Sequence, residues 1–307
     1  MTLLYPLARA NCLSLAMSLS IRVCLFYTSA QVWITCLLCG QRHFYLSVSC
    51  KNWLFKKLAM SFLLLYSVCM RRDRFFVKKP LGEETFTDDV RLVHQIKHVL
   101  RHELLDEIIL FNGEESCDFV YQITAIGKQS LSLSLKEKIV KDNFCPKTVL
   151  CLSPIRKELF EYSCLKATEL GVTDIIPVLC DHTDKQFLNK NRLETIVIEG
   201  AEQSGRTDVP VIHETIHFSQ IDKTLSSLSV SSRYALHFGG IQPHRFIGMH
   251  KSEEPLAFIV GPEGGFSDEE ASSFKSMGAT TLTIQTPIMR AETAAITCIY
   301  LASLLRK

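Results

Sequence analysis

Residues 261–266 read Gly-Pro-Glu-Gly-Gly-Phe, directly after the apolar run Leu-Ala-Phe-Ile-Val at 256–260 and directly before Ser267-Asp268-Glu269-Glu270. The last four have the form of a capping box, which places the glycines in a loop between a strand and a helix. Three glycines in five positions, with Pro262 fixing one φ angle, let backbone approach a bound molecule more closely than side chains permit. A phosphate loop would end in Gly-Lys-Ser/Thr and a dinucleotide loop would read Gly-x-Gly-x-x-Gly, and this loop does neither. Glu263 inside it would repel a phosphate. A ligand with a cationic centre and hydroxyls fits better, and S-adenosylmethionine, with its sulfonium and ribose, has that character. For the loop taken alone, a glycine-rich turn without a ligand is the alternative.

The elements that must carry this loop alternate from Pro146 onward. Apolar periodicity predicts strands at 149–152, 174–180, 234–238, 256–260 and 280–284, and helices at 155–170, 188–203 and 290–305, with Gly171 as a stop. Strand and helix in succession imply a parallel sheet covered on both faces. Ligands in such sheets sit beyond the carboxyl ends of strands. A second motif, Met289-Arg290-Ala291-Glu292-Thr293-Ala294-Ala295, follows the next strand, so both motifs are expected to face one pocket. Residues 71–145 read instead as a compact β module, with strands at 74–77, 107–111, 119–123 and 130–135, a turn at Asn112-Gly113 and one helix over 89–102.

Composition divides the chain again. Residues 1–72 contain no Asp or Glu, so all 32 acidic residues lie from Asp73 onward, whereas six of the 12 cysteines precede Met70. Six of the 34 basic residues also fall there, which leaves 28 basic against 32 acidic residues from Met70 on. That part is not globally basic, and any nucleic-acid contact must come from a local patch. The scattered later cysteines read as buried free thiols in a reducing cytoplasm. For residues 1–69 three readings compete. A membrane anchor needs roughly 20 apolar residues, but 23–40 is interrupted by Thr28, Ser29, Gln31 and Thr35, and 58–69 is too short. A transit peptide would be richer in Arg and Ser and less apolar. The preferred reading takes Met70 as the biological start and the residues before it as an apolar leader outside the native fold.

Gly-Pro-Glu-Gly-Gly-Phe-Ser and Arg-Ala-Glu-Thr-Ala-Ala are preceded by Lys166-Ala167-Thr168-Glu169-Leu170-Gly171-Val172 and by Glu202-Gln203-Ser204-Gly205-Arg206. With these four motifs in order, residues 71–307 resemble the bacterial 16S ribosomal RNA (uracil-N3)-methyltransferase family, RsmE. The resemblance implies an α/β SPOUT-type parallel sheet with a deep trefoil knot (146–307), preceded by a small PUA-like RNA-binding β-barrel (70–145). It further implies a cytoplasmic homodimer that uses S-adenosylmethionine to methylate a uridine of the small ribosomal subunit. Cofactor-binding residues carried over are His237, Gly239, Gly261, Glu263, Gly264, Gly265, Ile284, Gln285, Ile288 and Thr293. The family's third motif reads Leu-Gly-x-Arg-Ile-Leu-Arg-x-Glu-Thr-Ala; here Gln285 stands where it has glycine and Pro287 where it has arginine, and the first change is expected to alter cofactor affinity. Alternative readings are another SPOUT target, at a ribose 2′-hydroxyl or in transfer RNA, or a non-catalytic RNA-binding relative.

Removal of the N3 proton is expected of Glu263 or Glu292, and Arg290 is expected to stabilise the anion developing at a uracil carbonyl or to anchor phosphate. Glu292 could equally serve as a first-turn carboxylate favoured by the helix dipole. RNA contacts are expected from Arg71, Arg72 and Arg74, from Lys97 and Arg101, and from Gln203 and Arg206. His94, His98 and His102 recur every four residues, which invites a zinc reading; without a carboxylate or cysteine to complete a site, they read instead as part of an RNA-facing edge, and no metal is expected. On the preferred reading of the leader, the N-terminal peptide of the native protein is expected to start at Met70, and a peptide beginning earlier would remove that reading.

Overall fold

A computed structural model describes residues 21–28, 31–38, 42–48, 72–141, 146–184, 188–250, 254–284 and 288–305. The chain divides into two compact units, Met1–Arg71 and Arg72–Lys307. In the first, β1 (Ile21–Thr28), β2 (Gln31–Leu38) and β3 (Arg42–Val48) form an antiparallel sheet in sequence order. Among the described residues no helix is long and apolar enough to cross a membrane.

The second unit begins with a mixed sheet of five strands: β4 (Arg74–Phe76), β5 (Glu84–Thr87), β6 (Glu107–Phe111), β7 (Cys117–Ile126) and β8 (Leu131–Val140), in the order β4-β6-β7-β8-β5. β5 carries no strand signal in the sequence, because its Glu-Thr-Phe-Thr run is mostly polar and its Phe86 is exposed. The helix expected over 89–102 is shorter and changes pitch. Asp89 caps α1 (Val90–His94), accepting from the amides of Arg91 and Leu92, and the chain continues as a π-helical turn, Gln95–Val99. Arg101 then takes φ 59°, ending the helix. The three histidines therefore do not share one face. The His94 and His98 rings meet at 5.2 Å, tilted by 44°, while His102 sits between Asp73, 3.0 Å from Nε2, and Asp106, 3.3 Å from Nδ1.

From residue 146 the alternation expected from the sequence is present. β9 (Thr148–Leu152), β10 (Asp174–Leu179), β11 (Val211–Ile212), β12 (Ile216–His217), β13 (Ser232–Ile241), β14 (Leu256–Val260) and β15 (Ala279–Leu282) pair in parallel, in the order β11-β10-β9-β14-β13-β15 with β12 beside β10. Side chains alternate faces along each strand. Leu150 and Leu152 of β9 and Phe258 and Val260 of β14 pack into a core under α2 (Lys157–Glu169), α3 (Lys190–Ser204) and α7 (Ala291–Ser303). Val149, Cys151, Ala257 and Ile259 face the opposite core, under α4 (Ile221–Ser227) and the chain after α6 (Asp268–Ser273). α5 (Pro243–Met249) follows β13. Gly171 and Gly205 end α2 and α3 in the left-handed region, at φ 90° and 80°, where side chains with a Cβ are strained. The thiols of Cys151, Cys180 and Cys298 are free and buried, and desolvation raises each to about 12, which leaves them as unreactive apolar filler.

Arg74 joins the five-stranded sheet to the parallel one. Its side chain is 10% exposed; it pairs with Asp118 at 2.6 Å, donates to the carbonyls of Ala201, Glu202 and Arg206, and lies 4.7 Å over the Phe111 ring. Glu202 completes the seam by accepting from the Phe76 amide at 3.0 Å, and burial holds its carboxyl above the usual range. Arg74→Met is expected to cost about 2–4 kcal/mol in urea unfolding, because it strips carbonyls and a buried carboxylate of a partner, with Lys141 at 2.7 Å left to hold Asp118. A loss under about 1 kcal/mol would mean that the pair behaves as a surface bridge.

Candidate active site

Three chain segments meet beyond the carboxyl ends of β13, β14 and β15. β13 pairs with β15 through Leu236↔Leu282 and again at Ile241↔Leu282, so residues 237–240 bulge out of the sheet. Gly239 turns the bulge at φ 77°, and Gly240 passes against the neighbouring strand; a Cβ there would lie 2.7 Å from the Leu282 nitrogen and closer still to the Thr281 carbonyl. Thr283 fastens the crossing. Its hydroxyl donates to the His237 carbonyl and accepts from the Gly240 amide, both at 2.6 Å.

The glycine-rich loop is held from below. Gly265 N–H donates to the Pro262 carbonyl at 2.9 Å, closing a turn with Glu263 at its tip. The Phe266 ring covers Gly261, where a Cβ would come within 3.0 Å of it. Ser267 and Glu270 form the expected capping box. Glu270 is buried and also accepts from the Asp181 amide, Ser267 donates to the Asp181 carboxylate, and His182 Nδ1 lies 3.2 Å from the Gly265 carbonyl. The chain at the end of β10 thereby sets the height of the loop.

The result is a cleft of about 660 Å³. Its wall includes His237, Gly261, Glu263, Gly264, Gly265, Ile284, Ile288 and Arg290, which unites both motifs as their strand-end positions predicted. The size is that of a site for one small organic molecule. Glycines leave backbone exposed on one side, the carboxylate of Glu263 and the guanidinium of Arg290 supply opposite charges, and apolar side chains such as Ile288 supply contact area.

Not every residue singled out from the sequence stands on this wall. Glu292 is buried in the first turn of α7 with Oε2 lacking a hydrogen-bond partner; Ala291 and Ala294 line the cleft, and Glu292 does not. Thr293 is exposed on another face of the helix, and Gly239 shapes the bulge without lining the cleft. Gln285 and Arg71 lie outside the described residues. Arg74 and Arg206, expected at RNA, are turned inward: the Arg206 guanidinium pairs with Asp208 and donates to the Thr168 and Val172 carbonyls at 2.8 Å. Lys97 is occupied by the carbonyls of Gly127 and Lys128. Arg72 pairs with Glu107 at 2.7 Å in an exposed position, and Arg101 and Gln203 are exposed. Among the described residues no group of three or more His, Cys, Asp or Glu side chains could hold a metal ion.

Arg156, Leu159 and Thr283 also line the cleft and were not singled out from the sequence. Thr283 carried no signal at all, since its role depends on a strand 43 residues away. Thr283→Val is expected to cost about 2 kcal/mol of unfolding free energy by leaving the Gly240 amide and the His237 carbonyl unpaired. Faster amide exchange at Gly240 with unchanged exchange in β9 would locate that loss at the crossing.

Residues 143–303 match the model of an RNA methyltransferase domain. The chain is 33% identical over 233 residues to a ribosomal RNA small subunit methyltransferase E from Rickettsia conorii, covering 75% of this chain and 94% of the relative. The corresponding protein of Bacillus subtilis is 26% identical over 243 residues, covering 73% and 93%. The fold is shared with solved structures: a ribosomal RNA small subunit methyltransferase E from Neisseria gonorrhoeae bound to S-adenosyl methionine (TM-score 0.66, 24% identity, 77% of this chain and 98% of that one) and a methyltransferase from Legionella pneumophila in complex with the same cofactor (TM-score 0.67, 23% identity, 76% and 98%). By sequence and by fold, the chain belongs to the ribosomal RNA small subunit methyltransferase E family.

Proposed function

We propose that this protein transfers a methyl group from S-adenosylmethionine to N3 of a uridine in 16S ribosomal RNA of the small subunit. The observation that carries the reading is the convergence of the glycine-rich loop, the β13 bulge and the Arg290 segment on one cleft, in a chain of this family. The residues present suit the cofactor. A Cβ built at Gly265 would meet nothing within 4 Å, so the loop backbone stands open to the cleft, and the Glu263 carboxylate complements a positive centre. His237, Gly261, Gly264, Gly265, Ile284 and Ile288 would hold the molecule. When bound, it supplies a methyl group activated on a sulfonium.

The chain's own task is alignment and proton management. Holding two reactants in line can supply roughly 7–11 kcal/mol of the barrier. Glu263, at the tip of its turn, takes the N3 proton, which contributes about 10²–10⁴-fold. Arg290 stabilises the charge that develops on a uracil carbonyl. Glu292 serves the first turn of α7, where the helix dipole favours a carboxylate.

The wider reading follows the family. Residues 146–307 form a SPOUT-class methyltransferase domain with a deep trefoil knot, supported by the crossing at Gly240, where two backbones touch without room for a side chain. Residues 70–145 form a PUA-like barrel that grips RNA, with Arg72 and Arg101 exposed for contact; Gln203, on α3 of the parallel-sheet domain, is exposed as well. The protein acts in the cytoplasm as a homodimer.

Nucleotide-resolution mapping of small-subunit RNA, with and without the gene, is expected to show one uridine losing its N3 methyl group. Arg290→Ala and Glu263→Gln are expected to lower kcat by about 10²–10³-fold and 10²–10⁴-fold. Wild-type turnover from both would eliminate their assigned roles.

A further inference from the structure

The three loops of the cofactor motifs do not account for the whole cleft. Arg156 and Leu159 line it too, and both come from the start of α2, just beyond the carboxyl end of β9. Arg156 is the residue before the first turn of α2, and its side chain makes no capping hydrogen bond. It is exposed, and among the described residues it has no ion-pair partner. Arg192, Arg206 and Arg233 of the same unit pair with Glu161, Asp208 and Asp222. Arg290 matches Arg156 in each respect: it precedes α7, makes no capping bond, has no ion-pair partner among the described residues and lines the same cleft.

Two uncompensated guanidiniums therefore enter one cleft from two helix starts, and one of them stands on the wall that the cofactor loops leave free. A guanidinium is a planar fork of donors that matches an anionic oxygen pair. We propose that Arg156 anchors a backbone phosphate of the RNA strand whose base enters the cleft, fixing the nucleotide against Arg290. The exposure of Arg156 favours a ligand arriving from solvent, which is RNA, over the carboxylate of a cofactor held within the loops. A phosphate contact of this kind sets register and contributes affinity without reading the base. The inference rests on the methylation reading above and adds the substrate contact that the cofactor loops lack.

The test uses the full chain and small ribosomal subunits lacking the modification, at salt concentrations from roughly 50 to 200 mM. Arg156→Ala is expected to raise KM for the subunits about tenfold and to lower the slope of log KM against log salt by about 1. Affinity for S-adenosylmethionine by calorimetry, and the melting temperature, are expected to stay at wild-type values, and Arg156→Lys is expected to keep the salt slope. An unchanged KM and slope in Arg156→Ala would overturn the proposal. So would weaker cofactor binding with the RNA salt dependence intact, which would make Arg156 a carboxylate anchor. Wild-type enzyme that leaves the subunits unmethylated would fail the functional reading itself, an outcome visible before any variant is compared.

Discussion

The cleft depends on two backbones passing within contact distance at Gly240. Any side chain at that position would collide with the Thr281 carbonyl, a group fixed in the parallel sheet. With glycine there, residues 237–240 leave the sheet as a bulge, and one hydroxyl, that of Thr283, satisfies a donor and an acceptor that the bulge removes from the ladder. Bulges at strand ends re-aim the chain next to sites. Here the bulge turns the end of β13 into a wall of the cleft.

The glycines of the second wall answer different constraints. Gly261 lacks a side chain because the Phe266 ring occupies the space, Gly265 because its φ of 74° lies in the left-handed region, and Gly264 because His182 packs against it. Glu270 then bears on the loop from both sides of its carboxylate, accepting from Ser267 in the capping box and from Asp181 at the end of β10. A local helix signal thereby doubles as a long-range clamp. Preorganisation of this kind matters in a methyl transfer, where the protein contributes mainly by alignment.

Arginine is used in two opposite ways. Arg74 and Arg206 spend their donors on backbone carbonyls and a carboxylate each, and hold the β module and the helix ends of the parallel sheet in place. Arg156 and Arg290 have no such partners among the described residues and meet the cleft. Sequence distinguishes these uses poorly, because both kinds stand beside turns and polar residues. Burial and the supply of free carbonyls decide between them.

The parallel α/β class, the strand-end placement of both motifs, the capping box at Ser267 and the glycine stops at Gly171 and Gly205 are all legible in the sequence. Each is a short-range property: the apolar period is local, and a capping oxygen or a left-handed φ needs only its immediate neighbours. Only the folded chain fixes the order β9-β14-β13-β15, the bulge at 237–240, the bonds made by Thr283 and Asp181 and the place of Arg156 on the cleft. It also turns Arg74 and Arg206 inward, buries Glu292 away from the cleft lining and breaks the histidine face with a π turn. These outcomes depend on which distant backbone donors and acceptors come within about 3 Å of a side chain, and hydrogen bonding at that range cannot be read from spacing along one strand or helix.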